Sequence, residues 1–286
     1  MGAPGVVADV PFYRQRLGAD GLPKPWTLAD LRDYAAGADD PAAGRAPPGS
    51  RPALYVQLEG SEDVPVYLPL GPTELRGWAR ALAYAWRLWG VGAGDVVALY
   101  DYGSSPAVFL ASGLYVPGLG RGAADLLRVT VVCNDGPASM AARMAEAVRC
   151  CRPRGIVLRA DVARPLVSAL AQAGVSAAEA GVAWAAVTTA EEAPSPHELA
   201  PLREALGVPV YRTWRADAAL FLAPECPACS LFHVPRALYR LEELPEGVAV
   251  TAAFARDFPA TRYLLEGAEL APPGCHADPR AWRLRP

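Results

Sequence analysis

Five potential metal ligands lie in two short segments of the last quarter of the sequence. The first segment has the spacing Cys226-x2-Cys229-x3-His233, and the second is the pair Cys275-His276. Cysteine thiolate and histidine imidazole are the ligands of closed tetrahedral Zn²⁺ sites. We therefore predict a structural zinc site that uses four of these five side chains. The alternative is that the cysteines are small buried apolar residues with incidental neighbours.

The other reactive side chains carry weaker signals. His197 lies at the start of a predicted helix, and Cys150 and Cys151 lie at the end of another. We expect His197 to be exposed and the two cysteines to be ordinary core or surface residues. Ser61, Ser104 and Ser105 have no histidine close to them in the sequence, so no hydrolase triad is predicted.

The composition excludes several classes of function. Lys24 is the only lysine among the 27 basic residues, so a mechanism that needs a lysine after that position is excluded. The net charge of −3 argues against nucleic acid as a partner. No signal peptide and no membrane helix is visible, and six cysteines without a leader indicate reduced thiols or metal ligands. These features predict a cytoplasmic protein without a membrane partner.

Strand and helix patterns alternate along the middle of the chain. Apolar residues spaced by 3.6 along 73–89 predict a helix that Thr73 caps and Gly90 ends. The other predicted strands are 54–58, 64–68, 95–100, 128–133, 155–158 and 182–188, and the other predicted helices are 137–150, 161–173 and 196–206. Such alternation predicts an α/β fold with a parallel sheet. We divide the chain into a loop-rich segment (1–50), an α/β domain (51–207) and a β-rich subdomain with the zinc knuckle (208–286).

This order of elements, with several motifs, resembles the phenylacetate–coenzyme A ligase branch of the adenylate-forming enzymes. The motifs lie at 11–17 with 27–31, at 90–97 and at 258–263. The resemblance implies the α/β large-domain fold of that superfamily with a β-rich C-terminal part, the small C-terminal domain being absent. It also implies a family activity, the ATP-dependent activation of a carboxylic acid for transfer to coenzyme A. Some relatives hold a structural metal on similarly placed cysteine and histidine residues, which agrees with the predicted zinc site.

The phosphate-binding segment departs from the family pattern. The resemblance makes Gly60 and Ser61 the cofactor-binding candidates there, but Val64 stands where the family has a lysine. Glu62 and Asp63 add two carboxylates, which repel a phosphate. We therefore expect ATP not to bind there in the manner of the family.

Three further positions that the family uses for chemistry are altered. The resemblance places an adenine-stacking tyrosine at Tyr211, but Arg215 stands where the family has a magnesium-binding glutamate, and arginine cannot hold a hard cation. The ribose-binding aspartate is missing, and Glu266 lies one position from its place. The catalytic lysine of the family belongs to the small domain that would follow Pro286. Tyr211, Arg215 and Glu266 are thus degenerate catalytic positions.

These departures lead to three hypotheses. The first is a catalytically inactive ligase homologue that acts as a binding or regulatory protein, with a small aromatic or acyl ligand or a protein partner. On this hypothesis zinc is the one cofactor, and ATP and coenzyme A are not expected. The second is an active acyl-CoA ligase that uses altered residues or a C-terminal domain supplied by a partner. The third is a zinc-stabilised interaction module.

Overall fold

The computed structural model describes residues 4–38, 40, 42–58, 65–114, 116, 118, 120–191, 193 and 195–286. The helices within these ranges are α1 (Pro4–Asp9), α2 (Pro11–Arg14), α3 (Leu28–Ala38), α4 (Pro72–Leu88), α5 (Pro106–Phe109), α6 (Ala123–Leu127), α7 (Ala141–Cys151), α8 (Ala160–Gln172) and α9 (Pro196–Leu206). The strands are β1 (Leu54–Gln57), β2 (Tyr67–Leu70), β3 (Val96–Asp101), β4 (Thr130–Asp135), β5 (Gly155–Arg159), β6 (Trp184–Ala190), β7 (Val210–Ala216), β8 (Phe221–Pro224), β9 (Phe232–Val234), β10 (Tyr239–Leu244), β11 (Gly247–Ala252), β12 (Tyr263–Glu266), β13 (Glu269–Ala271) and β14 (Trp282–Arg285).

A six-stranded sheet with the order β4-β3-β5-β6-β7-β8 forms the centre of the molecule. The first five strands in this order, β4, β3, β5, β6 and β7, run parallel to one another, and β8 pairs antiparallel with β7. The predicted α/β fold with a parallel sheet is confirmed. Successive side chains of a strand point to opposite faces of the sheet, and parallel sheets bury both faces. This sheet is likewise covered on both faces.

Two apolar layers lie on the two faces of this sheet. On β3, Val97 and Leu99 join the layer that contains α4, whereas Ala98 and Tyr100 join the layer of α7, α8 and α9. Most of the predicted elements are present, with their ends shifted by at most four residues. The second strand of the N-terminal hairpin, predicted at 64–68, is β2 at Tyr67–Leu70, and residues 59–64 lie outside the described ranges.

Helix α4 begins before the predicted cap. Gly71 is its N-cap and Pro72 its first residue, so the prediction that Thr73 caps it was wrong. The reason is Glu74, whose buried carboxylate accepts from the amide of Gly71 at 3.1 Å and from the amide of Arg256 at 2.8 Å. The predicted end is confirmed, since Gly90 follows the helix with φ +82°.

Antiparallel strands dominate the last third of the chain. Strands β10, β11 and β12 form one three-stranded sheet, and β13, β14 and β9 form another. The β-rich C-terminal part is therefore confirmed. Strands β7 and β8 belong to the central sheet, although both lie after the domain boundary predicted at residue 207, and that boundary stays a prediction. Across the described ranges, no helix is both long and apolar enough to cross a membrane.

Candidate functional site

A tight turn brings three of the predicted metal ligands together. After β8, the amide of Ser230 donates to the carbonyl of Cys226 at 2.9 Å, and Ser230 adopts φ +58°. The turn leads into β9, which carries His233. Strand β14 pairs with β9, and the loop before β14 carries Cys275. Two sheet connections therefore position ligands that are 49 residues apart in sequence.

The resulting cluster has the dimensions of a tetrahedral metal site. The ligand atoms of Cys226, Cys229, His233 and Cys275 all lie within 4.8 Å of one another. The sulfurs of Cys226 and Cys275 are 3.8 Å apart, and Cys229 Sγ lies 3.3 Å from His233 Nε2. A tetrahedron with Zn–S bonds of about 2.3 Å places its sulfurs about 3.8 Å apart. His276, by contrast, is exposed and lies outside this group.

The electrostatics of the cluster suit a bound cation. Burial raises the pKa of the Cys226 thiol to about 12, so its thiolate needs a compensating positive charge. Burial also acts to raise the pKa of Cys275, but hydrogen bonds from the Ala277 amide and the Cys229 thiol leave that pKa below its ordinary value. Burial lowers the pKa of His233, which keeps its imidazole neutral and able to ligate. These three cysteines and one histidine fit Zn²⁺ as a structural ligand set.

Helix α4 anchors this candidate metal centre to the central sheet. Tyr84 donates to Asp278, three residues after Cys275, at 2.8 Å. Trp89 donates from Nε1 to the carbonyl of Glu225 at 2.9 Å, directly before Cys226. The centre therefore lies between the sheet, α4 and the last strands.

A second group of polar side chains lies where the parallel strands end. In open α/β sheets, ligands bind outside the carboxyl ends of the strands. Here that edge holds Asp101, Ser105, Thr188, Arg215 and Asp217, which we call the carboxyl-edge cluster, and all five are buried.

Arg215 is the centre of the carboxyl-edge cluster. Its Nε and Nη2 donate to the two carboxylate oxygens of Asp217, each at 3.0 Å. Its Nη1 donates to Ser105 Oγ at 3.2 Å and to Thr188 Oγ1 at 3.1 Å. Ser105 in turn donates to Asp101 at 2.6 Å. The guanidinium is thus enclosed by acceptors of the protein itself.

Glu191 extends the cluster toward the C-terminal part of the chain. Its carboxylate accepts from the Asp217 amide at 3.2 Å and from the hydroxyl of Tyr263. Burial raises the pKa of Glu191 to about 7, and burial likewise raises that of Asp101 to about 6. The cluster therefore contains two carboxyl groups that gain protons close to neutral pH.

The space left at this edge is small. A cavity of about 180 Å³ is lined by residues that include Arg159, Thr188 and Arg215. Pockets that enclose small-molecule ligands usually measure about 300–1,000 Å³. This cavity is therefore smaller than a usual ligand pocket, and the described side chains around it can hold protons and internal ion pairs.

The other predicted site residues lie apart from this edge. Gly60 and Ser61 fall outside the described residues. Tyr211 lies at the opposite, amino end of β7, where its ring stacks on Trp89 with centroids 5.9 Å apart. Glu266 ends β12 and is exposed. Of the three degenerate positions, only Arg215 belongs to the carboxyl-edge cluster.

Asp101, Glu191 and Asp217 were not predicted from the sequence. Each ends or closely follows a strand of the central sheet: Asp101 ends β3, Glu191 follows β6, and Asp217 follows β7. Of the three, only Asp101 directly follows a predicted strand, the one at 95–100. Glu191 lies three residues after the strand predicted at 182–188, and no strand was predicted at 210–216.

The fold is similar to solved structures of 2-hydroxyisobutyryl-CoA ligase. The complex with 2-HIB-AMP and CoA in the thioesterification state has a TM-score of 0.77 at 18% identity, covering 98% of this chain and 64% of that one. An open conformation with the same ligands gives 0.72 at 18% identity, with 98% and 70% covered. A postadenylation state with R3-HIB-AMP gives 0.68 at 16% identity, with 98% and 63% covered.

The chain thus spans 64% of the length of the first of these structures. No protein-family model matches the sequence, and no curated protein matches it. The similarity to the ligase structures, which extends over 98% of the chain, establishes its architecture. The chain has the α/β fold of the adenylate-forming acyl-CoA ligases.

Proposed function

We propose that this chain is a ligase-like binding or regulatory protein that does not form acyl-adenylates. The observation that carries the proposal is the enclosure of Arg215 at the carboxyl edge of the sheet. The N–H groups of its guanidinium donate hydrogen bonds to Asp217, Ser105 and Thr188. A phosphate site needs donors that converge on open space, and these donors already have partners.

The sequence of the chain supports the same conclusion. An adenylate carries a phosphate, and residues 25–286 contain no lysine that could bind one. Arginine could serve instead, but Arg215 and Arg212 are both held in buried bidentate pairs with carboxylates. Neither guanidinium therefore has a pair of parallel N–H donors available for a phosphate.

The motifs at 11–17, 90–97 and 258–263 support placing the chain in the phenylacetate–CoA ligase branch. We propose a cytoplasmic location, and a small aromatic or acyl acid or a protein as the binding partner. ATP and coenzyme A are not ligands in this proposal. Calorimetric titration with phenylacetate and short acyl acids tests the ligand class.

Pyrophosphate exchange tests the proposed inactivity. The full chain is incubated with ATP, Mg²⁺, labelled pyrophosphate and a panel of aryl and acyl acids. We expect no exchange above a boiled-protein control. Exchange that depends on one of the acids would refute the proposal.

The alternative is an active ligase completed by a second chain. The observation that favours it is the 98% coverage of this chain by a ligase that is longer than the chain. The same exchange assay in an extract of the source cells separates the two. Exchange that co-purifies with a second polypeptide supports the alternative, and its absence supports the inactive protein.

We also propose one structural zinc ion, held by Cys226, Cys229, His233 and Cys275. The 3.8 Å sulfur separation and the burial of the thiols support it. When bound, zinc would supply positive charge that stabilises the thiolates and joins the loop before β14 to the turn after β8. The third hypothesis, a zinc-stabilised interaction module, shares this site.

Metal analysis of variants tests the zinc site. We expect one zinc per chain in the purified protein, and loss of that zinc in Cys226→Ser and Cys275→Ser. His276→Ala is the matched control, because His276 adjoins Cys275 yet lies outside the cluster. Unchanged zinc content in both cysteine variants would remove the site.

A further inference from the structure

The candidate metal centre contains a pair of thiols close enough to react with each other. Cys226 Sγ and Cys275 Sγ are 3.8 Å apart, and a disulfide bond requires about 2.05 Å. The two sulfurs would therefore need to move roughly 1.8 Å closer together to form the bond. Cys226 lies in the turn after β8 and Cys275 lies in the loop before β14, so the bond would connect these two segments.

We infer that this cluster is an oxidative modification site, where a hydroperoxide converts Cys226 and Cys275 into a reversible disulfide when no metal is bound. The inference rests on the proposed zinc site only for its protection by metal. The thiol geometry that carries it is a property of the chain itself.

Cys229 is the point of entry for the oxidant. Cys226 and Cys275 are 1% and 4% exposed, whereas Cys229 is half-buried and its sulfur lies 3.3 Å from His233 Nε2. Attack of the Cys229 sulfur on the hydroperoxide forms an S–O bond and breaks the O–O bond. The products are a sulfenic acid and one alcohol, or one water when the oxidant is hydrogen peroxide.

Two exchange steps then move the bond to the buried pair. The Cys226 thiol attacks the sulfenic sulfur, so that an S–S bond forms and the hydroxyl leaves as water. The Cys275 thiol next attacks Cys226, and Cys229 leaves with the proton. In sum, two thiols lose two electrons and two protons, and the hydroperoxide is reduced to alcohol and water.

Metal binding and the disulfide exclude each other. Both need the sulfur lone pairs of Cys226 and Cys275, so oxidation removes two of the four proposed zinc ligands. Bound zinc would in turn engage the sulfur lone pairs and so protect the thiols from the oxidant. The site would therefore respond to both metal supply and peroxide.

The test uses the full chain with the exposed cysteines Cys133, Cys150 and Cys151 replaced by serine, which leaves three thiols. This protein is treated with hydrogen peroxide, once with zinc and once after chelation, and its unreduced peptides are mapped by mass spectrometry. In the chelated protein we expect a Cys226–Cys275 cross-link and a fall from three titratable thiols to one. Dithiothreitol should restore all three.

A Cys229→Ser variant checks the route without removing the pair. The same cross-link should form about tenfold more slowly, because the oxidant must then reach a buried thiol. Failure of the chelated protein to form the cross-link, or a Cys226–Cys229 bond as the final product, would overturn the inference. Equal oxidation with and without zinc, alongside a zinc content of zero, would refute the zinc proposal and leave the disulfide standing.

Discussion

Replacement of Arg215 by methionine should strongly destabilise the protein. Methionine keeps much of the side-chain volume but removes the charge, so Asp217 is left as a buried carboxylate without its partner. Removal of one member of a buried ion pair costs about 3–5 kcal/mol. Ser105 and Thr188 also lose the donor at Nη1, although Ser105 keeps its bond to Asp101.

Urea unfolding followed by tryptophan fluorescence measures this loss. With a slope of about 2–3 kcal/mol/M, the midpoint of Arg215→Met should fall by about 1–2 M. The exposed pair Arg285–Glu269 provides the control, and Arg285→Met should leave the midpoint unchanged.

The double variant Arg215→Met with Asp217→Asn separates the charge effect from packing. It leaves no unpaired charge, so it should recover at least about 2 kcal/mol of the loss. A loss below about 1 kcal/mol in the single variant would refute the reasoning. A double variant whose loss equals the sum of the two single losses would refute it as well, because the two side chains would then not interact.

Three other changes test separate features of the structure. The folded pKa of Glu191, about 7, lies above its unfolded value, so its contribution to the free energy of unfolding is full below about pH 4 and is lost as the pH rises through 7. The free energy of unfolding from urea titrations should therefore fall between pH 5 and 8 by no more than about 3 kcal/mol, and Glu191→Gln should reduce that fall. A Cβ at Gly77 would overlap the ring of Phe254, so Gly77→Ala should cost about 1–3 kcal/mol in thermal unfolding, and the pair Gly77→Ala with Phe254→Leu should recover part of it. Arg45 donates to two carbonyls at 3.0 and 2.8 Å, and Arg45→Lys, which reaches only one of them, should cost about 2–3 kcal/mol in urea unfolding.

Local patterns were sufficient to predict the central architecture. The 3.6-residue spacing of apolar residues along 73–89 predicted helix α4, whose apolar face includes the fully buried Trp78 and Trp86. The alternation of strands and helices predicted the parallel sheet because crossover helices are the usual connection between parallel strands. The cysteine and histidine spacing grouped five residues, and the fold brings the ligand atoms of four of them within 4.8 Å of one another.

The carboxyl-edge cluster could not be predicted from local patterns, since its contacts join distant residues. Arg215 and Ser105 are 110 positions apart, and Tyr263 and Glu191 are 72 apart. No neighbouring residue indicates that the carboxyl group of Glu191 is enclosed, because that enclosure comes from the end of β6 and from Tyr263 at the start of β12. The direction of a side chain is equally hidden, as His276 shows, because it adjoins a buried cysteine and yet faces solvent.

The near absence of lysine has a structural reason at three positions. Arg215 and Arg212 each hold a carboxylate through two parallel bonds, and Arg212 also lies over the ring of Phe232. A lysine ammonium is a single point of charge and cannot form such a fork. Arg45 has no carboxylate partner in the described chain and is held instead between carbonyl oxygens and the faces of aromatic rings, an arrangement that favours a planar cation.

These three arginines also bear on function. Each is buried, and each has its donors directed at groups of the protein, so the positive charge of the interior is used to hold the fold together. A phosphate-transferring site needs the opposite arrangement, with cations kept free for the substrate. In our proposal, ATP that used Arg215 as a phosphate ligand would have to displace Asp217 from an arginine that is already paired. That displacement is the physical reason for proposing that the chain does not form acyl-adenylates, whereas a neutral ligand, or one that binds elsewhere on the same fold, requires no such displacement.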